Sequence, residues 1–119
     1  MKTFIASLLL TLLPLSHAVA GEHFACNMKA LSTAERARHQ ELTRILLTTV
    51  AEKAELKDGY GFRLPASELG HAAEWVRLEA RCCPFFTFEL EQARDEGPLW
   101  MRITGSEGVK AFIRAEFQL

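Results

Sequence analysis

A chain of 119 residues with 14 Lys+Arg against 15 Asp+Glu, a formal charge of −1 and 49% hydrophobic residues has the size and balance of one ordinary globular domain. The near-neutral charge excludes a nucleic-acid partner held by phosphate neutralisation, and eight Phe with a hydrophobic fraction near half exclude a disordered chain. No apolar run reaches the roughly eighteen residues that a membrane span needs.

Lys2, an apolar stretch from Phe4 to Leu15 broken only by Ser7 and Thr11, and small side chains at Ala18 and Ala20 predict a secretory signal peptide over residues 1–20. Cleavage before Gly21 leaves a single domain over 21–119, expected to be periplasmic or secreted with no stable membrane anchor. Cys26 lies well past the apolar stretch and behind His23-Phe24-Ala25, which does not fit a lipid-attachment box. All three cysteines therefore belong to the mature domain, and an odd count in an oxidising compartment leaves one thiol free, paired with another molecule, or bound to something.

Ser32-Thr33-Ala34-Glu35 has the spacing of a capping box and predicts a helix start. Leu42, Ile45, Leu46, Thr49 and Val50 follow at helical spacing and carry that helix to about Leu56, where Lys57-Asp58-Gly59 ends it. Tyr60, Phe62 and Leu64 alternate as a short strand, and Pro65 stops it. Ser67 then caps a second helix to about Arg81, with Leu69, Ala72, Ala73, Val76 and Ala80 on one face and Trp75 and Leu78 widening it. Pro84 disfavours helical geometry at Cys83, so Cys82-Cys83 is a helix-to-strand junction. Phe86, Phe88 and Leu90 alternate, as do Leu99, Met101 and Ile103, and the two strands pair as a hairpin. Thr104-Gly105-Ser106-Glu107 offers a second capping box for a terminal helix through Val109, Phe112, Ile113 and Phe117. The order α-β-α-β-β-α predicts an α+β fold, with a small three-stranded, mostly antiparallel sheet and helices packed on one face. Exposed sheet edges leave a homodimer open as an alternative.

The chemistry is expected at the sulfurs. Thiolates are soft donors, so Cys82, Cys83 and Cys26 together form a candidate site for a thiophilic metal ion, and no C-x-x-C or H-x-x-x-H spacing suggests tetrahedral zinc. Three readings stand side by side: a structural disulfide from Cys26 to Cys82 or Cys83, a ligand or exchange role for two or three sulfurs with a soft metal ion or a thiol partner, and inert core cysteines. The C-terminal end of a helix and Glu79 one turn back both raise a thiol pKa, which favours passive coordination over thiol catalysis, although Arg77 and Arg81 oppose them.

His39 lies on the apolar side of the first helix, with Glu35 one turn before it. It is a further candidate ligand, oriented by Glu35 near Cys26, beside the plainer reading of a capping Glu and a half-buried His. His71 and His23 have no spacing partner and are expected at the surface. Trp75 and Trp100 are candidates for a pocket wall or a dimer surface, beside ordinary core packing. No G-x-S-x-G, P-loop, H-E-x-x-H or G-x-G-x-x-G occurs, and an enzymatic role is not the leading expectation.

The segments Glu35-Arg36-Ala37-Arg38-His39, Asp58-Gly59-Tyr60-Gly61-Phe62-Arg63, Glu74-Trp75-Val76-Arg77-Leu78-Glu79, Arg81-Cys82-Cys83-Pro84-Phe85-Phe86 and Gly105-Ser106-Glu107-Gly108-Val109-Lys110 resemble a group of small exported bacterial proteins. The resemblance spans most of the mature domain and implies a bacterial periplasmic setting, but it transfers no catalytic residue and no cofactor. The expected function is a periplasmic binding or stress-accessory protein with a thiol site. The alternative is a structural or interaction module stapled through Cys26.

Overall fold

The Ser32 hydroxyl accepts from the Glu35 backbone N–H while the Glu35 carboxylate accepts from the Ser32 N–H, so the predicted capping box opens helix α1, Thr33–Thr49. These contacts come from a computed structural model that describes residues 24–119; the expected signal peptide and His23 lie outside the described residues. A short 3₁₀ turn, Met28–Ala30, precedes α1.

Helix α1 stops seven residues earlier than its periodicity suggests. Thr48 and Thr49 turn their hydroxyls back onto the Ile45 and Leu46 carbonyls, a competition with the backbone that weakens the last turn. The chain then leaves as a strand, β1, Glu52–Leu56, which turns at Lys57-Asp58 into β2, Gly59–Leu64. Lys57-Asp58-Gly59 is thus a hairpin turn and not a helix end. The predicted three-stranded sheet is accordingly corrected to four strands, and the order to α-β-β-α-β-β-α.

Helix α2, Leu69–Cys82, follows a 3₁₀ turn at Ala66–Glu68, and the expected cap by Ser67 is not made. Strands β3, Thr87–Gln92, and β4, Leu99–Thr104, form the predicted hairpin. Helix α3, Val109–Glu116, opens on Gly108 instead of the Thr104 to Glu107 box. Gly108 has φ +90, and a Cβ there would stand 3.1 Å from the Phe24 ring, so both conformation and packing require glycine.

The sheet is antiparallel throughout in the order β1-β2-β4-β3. Register places Tyr60, Phe62 and Leu64 beside Ile103, Met101 and Leu99 on one face, where they are buried together with Leu42 and Leu46 of α1 and Val109 and Ile113 of α3. The other face carries Arg63, Trp100 and Arg102, with Arg102 paired to Glu89 and Glu91. This is an α+β fold with the helices on one side of the sheet. Among the described residues no helix is long and apolar enough to cross a membrane.

The buried face of α2 is Ala72, Trp75, Leu78, Glu79 and Cys82. It is rotated from the predicted stripe: Ala73 and Ala80 are exposed, and Leu69 is 40% exposed. Trp75 is the reason, because its large ring gains most from burial and carries the helix face round with it. It packs edge-on against Phe88, and its indole N–H donates to Thr43 at 2.9 Å.

Candidate functional site

Helices α1 and α2 run antiparallel, and their cross-links set the register. Arg38 grips Glu74 with two bonds of 2.8 Å, Trp75 reaches Thr43, and at the other end Arg81 pairs with Glu35 while also donating to the Ala30 carbonyl at 2.9 Å. The Arg81 guanidinium and the Ser32 N–H hold the Glu35 carboxyl down at about 2. Glu35 is therefore committed to Arg81 and the cap, the plainer of the two expected readings, and it does not orient His39. Its place is taken by Glu79, whose carboxylate meets the His39 Nε2 from across the helix pair.

The sulfurs gather beside that pair. Cys26 and Cys83 are joined by a disulfide, with Cα atoms 4.6 Å apart, and Cys82 is free and fully buried. The backbone decides which of the adjacent cysteines is bridged. Cys82 is the last residue of α2, whereas Cys83 has left helical geometry at φ −123 and ψ 71, as Pro84 leads one to expect. The Asn27 N–H donates to the Cys82 carbonyl at 2.7 Å, which holds the N-terminal segment against the helix end. An aromatic cluster clamps both flanks of the bridge: Phe24 packs on Phe85 at 5.0 Å, and Phe85 on Phe86 and Phe112 at 4.8 and 5.2 Å.

Cys82 Sγ lies 3.7 Å from Cys83 Sγ, and its thiol donates to the Glu79 carbonyl at 3.5 Å. Glu79 Oε2 is 3.8 Å from Cys82 Sγ, and Oε1 is 3.3 Å from Cys83 Sγ, a bridged sulfur with no proton to donate. Burial, and then the Glu79 charge, push the Cys82 thiol up to about 11. At neutral pH it is therefore a protonated thiol and a poor nucleophile.

The glutamate is 4% exposed and the His39 side chain 12%. A cleft of about 270 Å³ opens onto this corner, with Cys26, Cys83, His39, Glu79, Trp75 and Phe117 in its wall. Among the described residues, two sets of donor atoms lie within 4.8 Å of one another: Cys26, Cys83 and Glu79, and His39, Glu79 and Cys82. Glu79 belongs to both.

All four expected site residues, Cys82, Cys83, Cys26 and His39, thus meet at one corner. The bridge keeps two of the three sulfurs from acting as thiolate ligands while it is closed. Glu79 is the residue that sequence reasoning missed as a participant, having entered it only as a nearby charge. Its signal was present: spaced three and four residues before Cys82 and Cys83, it shares a helix face with Ala72, Trp75 and Cys82, and a carboxylate in an apolar stripe needs a partner. His71 pairs with the neighbouring Glu68 at 2.8 Å, away from this corner. Trp75 serves both the core and the cleft wall, while Trp100 lies on the opposite face of the sheet. Comparison of the chain with protein-family models, with curated proteins and with solved structures finds no match.

Proposed function

We propose that this chain is a small periplasmic protein whose thiol site, Cys82, Cys83 and Cys26 with His39 alongside, binds a soft metal ion once the Cys26–Cys83 bridge is opened. The observation that carries the reading is the approach of the free Cys82 Sγ to within 3.7 Å of a sulfur of that bridge, beside a cleft. Two-coordinate and three-coordinate soft ions such as Cu(I) and Hg(II) suit such a sulfur set.

Opening needs two electrons from an external dithiol. One thiolate of the dithiol attacks Cys26, the less buried sulfur, and Cys83 leaves as a thiolate. The second thiolate of the dithiol then displaces Cys26 from the mixed disulfide, so the reductant departs as a cyclic disulfide and three cysteines remain reduced. A thiophilic ion binds in place of the thiol protons. The raised Cys82 thiol supports coordination over catalysis, because a protected thiol resists oxidation until an ion displaces its proton.

Native mass spectrometry tests this. Protein reduced by a phosphine and freed of it should take up one Cu(I) or Hg(II), oxidised protein should take up far less, and Cys82→Ser/Cys83→Ser should lose the adduct. Unchanged uptake by the double variant ends the reading. A second reading, a module in which the bridge is only a staple, is favoured by the clamp of Phe24, Phe85 and Phe112 around it. It stands if the reduced protein binds no soft ion at all.

A further inference from the structure

We propose that the oxidised protein, with the Cys26–Cys83 bridge closed, carries a second kind of metal site: a divalent-cation site of the zinc class formed by His39 Nε2, Glu79 Oε2 and Cys82 Sγ. This inference does not rest on the soft-ion reading, since it uses one of the three sulfurs and requires the bridge to stay intact.

The three donor atoms lie within 4.8 Å of one another. They come from two helices whose register is fixed from outside the cluster, by Arg38 on Glu74 at one end and Arg81 on Glu35 at the other. Glu79 and Cys82 are three residues apart and so share one face of α2, while His39 faces them from α1. The two carboxylate oxygens have separate surroundings. Oε1 rests against the bridged Cys83 sulfur at 3.3 Å, whereas Oε2 meets His39 Nε2 and lies 3.8 Å from Cys82 Sγ, so Glu79 is set to offer one oxygen to an ion between them.

One nitrogen, one oxygen and one sulfur make a borderline donor set, which suits zinc better than the softer ions that a trio of thiolates would select. Charge agrees with burial. A neutral imidazole, a carboxylate and a thiolate sum to −2, and a divalent ion brings this corner to zero, which removes the cost of isolated buried charge. The exchange balances when the ion enters and the Cys82 thiol proton leaves, with His39 binding as the neutral imidazole and Glu79 as the carboxylate. No electron is transferred.

Cys82 closes the back of the site, while His39 and Glu79 line the cleft. The fourth position of a tetrahedral ion would therefore face the cleft and take a water molecule or a small anionic ligand. Three protein ligands with one open position is the arrangement of zinc sites that meet small ligands, as opposed to the closed four-ligand sites that only hold a fold together.

The experiment uses purified oxidised protein, shown by thiol counting to hold one free thiol, stripped with a chelator and titrated with Zn(II) against a chromophoric competitor. One equivalent should bind, and Co(II) in its place should give a sulfur-to-cobalt charge-transfer band. Cys82→Ser should abolish that band, and His39→Gln and Glu79→Gln should each weaken Zn(II) binding by at least about tenfold. Absence of the cobalt band in the wild-type protein overturns the proposal even if a variant fails to fold. So does zinc affinity that is unchanged in folded Cys82→Ser. Because the soft-ion test is run on reduced protein and this one on oxidised protein, the failure of one is distinguishable from the failure of the other.

Discussion

Replacing Cys26 by Ala removes the bridge at its half-buried end and leaves α2 and the sheet untouched. The cysteines are 57 residues apart, so the bridge closes a loop of that order in the unfolded chain, and the chain-entropy relation gives about 14 cal/mol/K, or about 4 kcal/mol at 25 °C. With a urea slope of about 1.5 kcal/mol per molar for a domain of this size, the unfolding midpoint should fall by about 2.5 to 3 M. The native-state clamp does not offset this loss, because the Phe24 contacts and the Asn27 to Cys82 hydrogen bond act only after folding. Urea unfolding followed by far-UV circular dichroism reads the midpoint for oxidised wild type, phosphine-reduced wild type and Cys26→Ala. The last two should coincide. Cys82→Ala should keep the bridge and Cys83→Ala should lose it, which assigns the partner where two adjacent cysteines share one peptide. A loss below about 1 kcal/mol on removing Cys26 would refute the loop-closure reasoning. A retained bridge in Cys83→Ala would refute the pairing.

Two other outcomes are expected. The Cys82 thiol has its folded pKa raised from 9.0 to about 11, so its contribution to stability is complete below the unfolded value and is lost as pH climbs from 9.0 toward 11. Urea midpoints of wild type minus those of Cys82→Ala should decline over that window, and a flat difference would count against a buried, protonated thiol. Thr43→Val removes the acceptor for the Trp75 indole N–H, which should cost about 1 to 3 kcal/mol and change the tryptophan emission. A cost under about 0.5 kcal/mol would show that water in the cleft substitutes for the hydroxyl.

Signals that are complete within a few residues were legible in the sequence. The Ser32 to Glu35 box, the alternation in Tyr60 to Leu64 and in Leu99 to Ile103, and the Pro84-driven exit from helix at Cys83 each depend on neighbours along the chain, and each appears in the structure. Cys82, Cys83, Cys26 and His39 were named as candidates from residue type and position, since the chain has three cysteines and His39 falls on the apolar side of its helix, but the distances among them were not legible.

Tertiary contacts decided the rest. Glu52 to Leu56 consists of good helix formers and becomes a strand because β2 supplies its hydrogen-bonding partners, an energy that no local propensity contains. Thr104 to Glu107 has the spacing of a cap, yet the chain bends at Gly108 to seat the helix over Phe24, a residue far away in sequence. The meeting of His39 with Glu79 spans forty residues and follows from the register of two helices set by Arg38, Thr43 and Arg81. The sequence by itself determined which side chains are available for chemistry at this corner. The packing of α1 on α2 determined that a buried carboxylate stands between the imidazole and the thiol, because only the folded chain brings their donor atoms within reach of one ion.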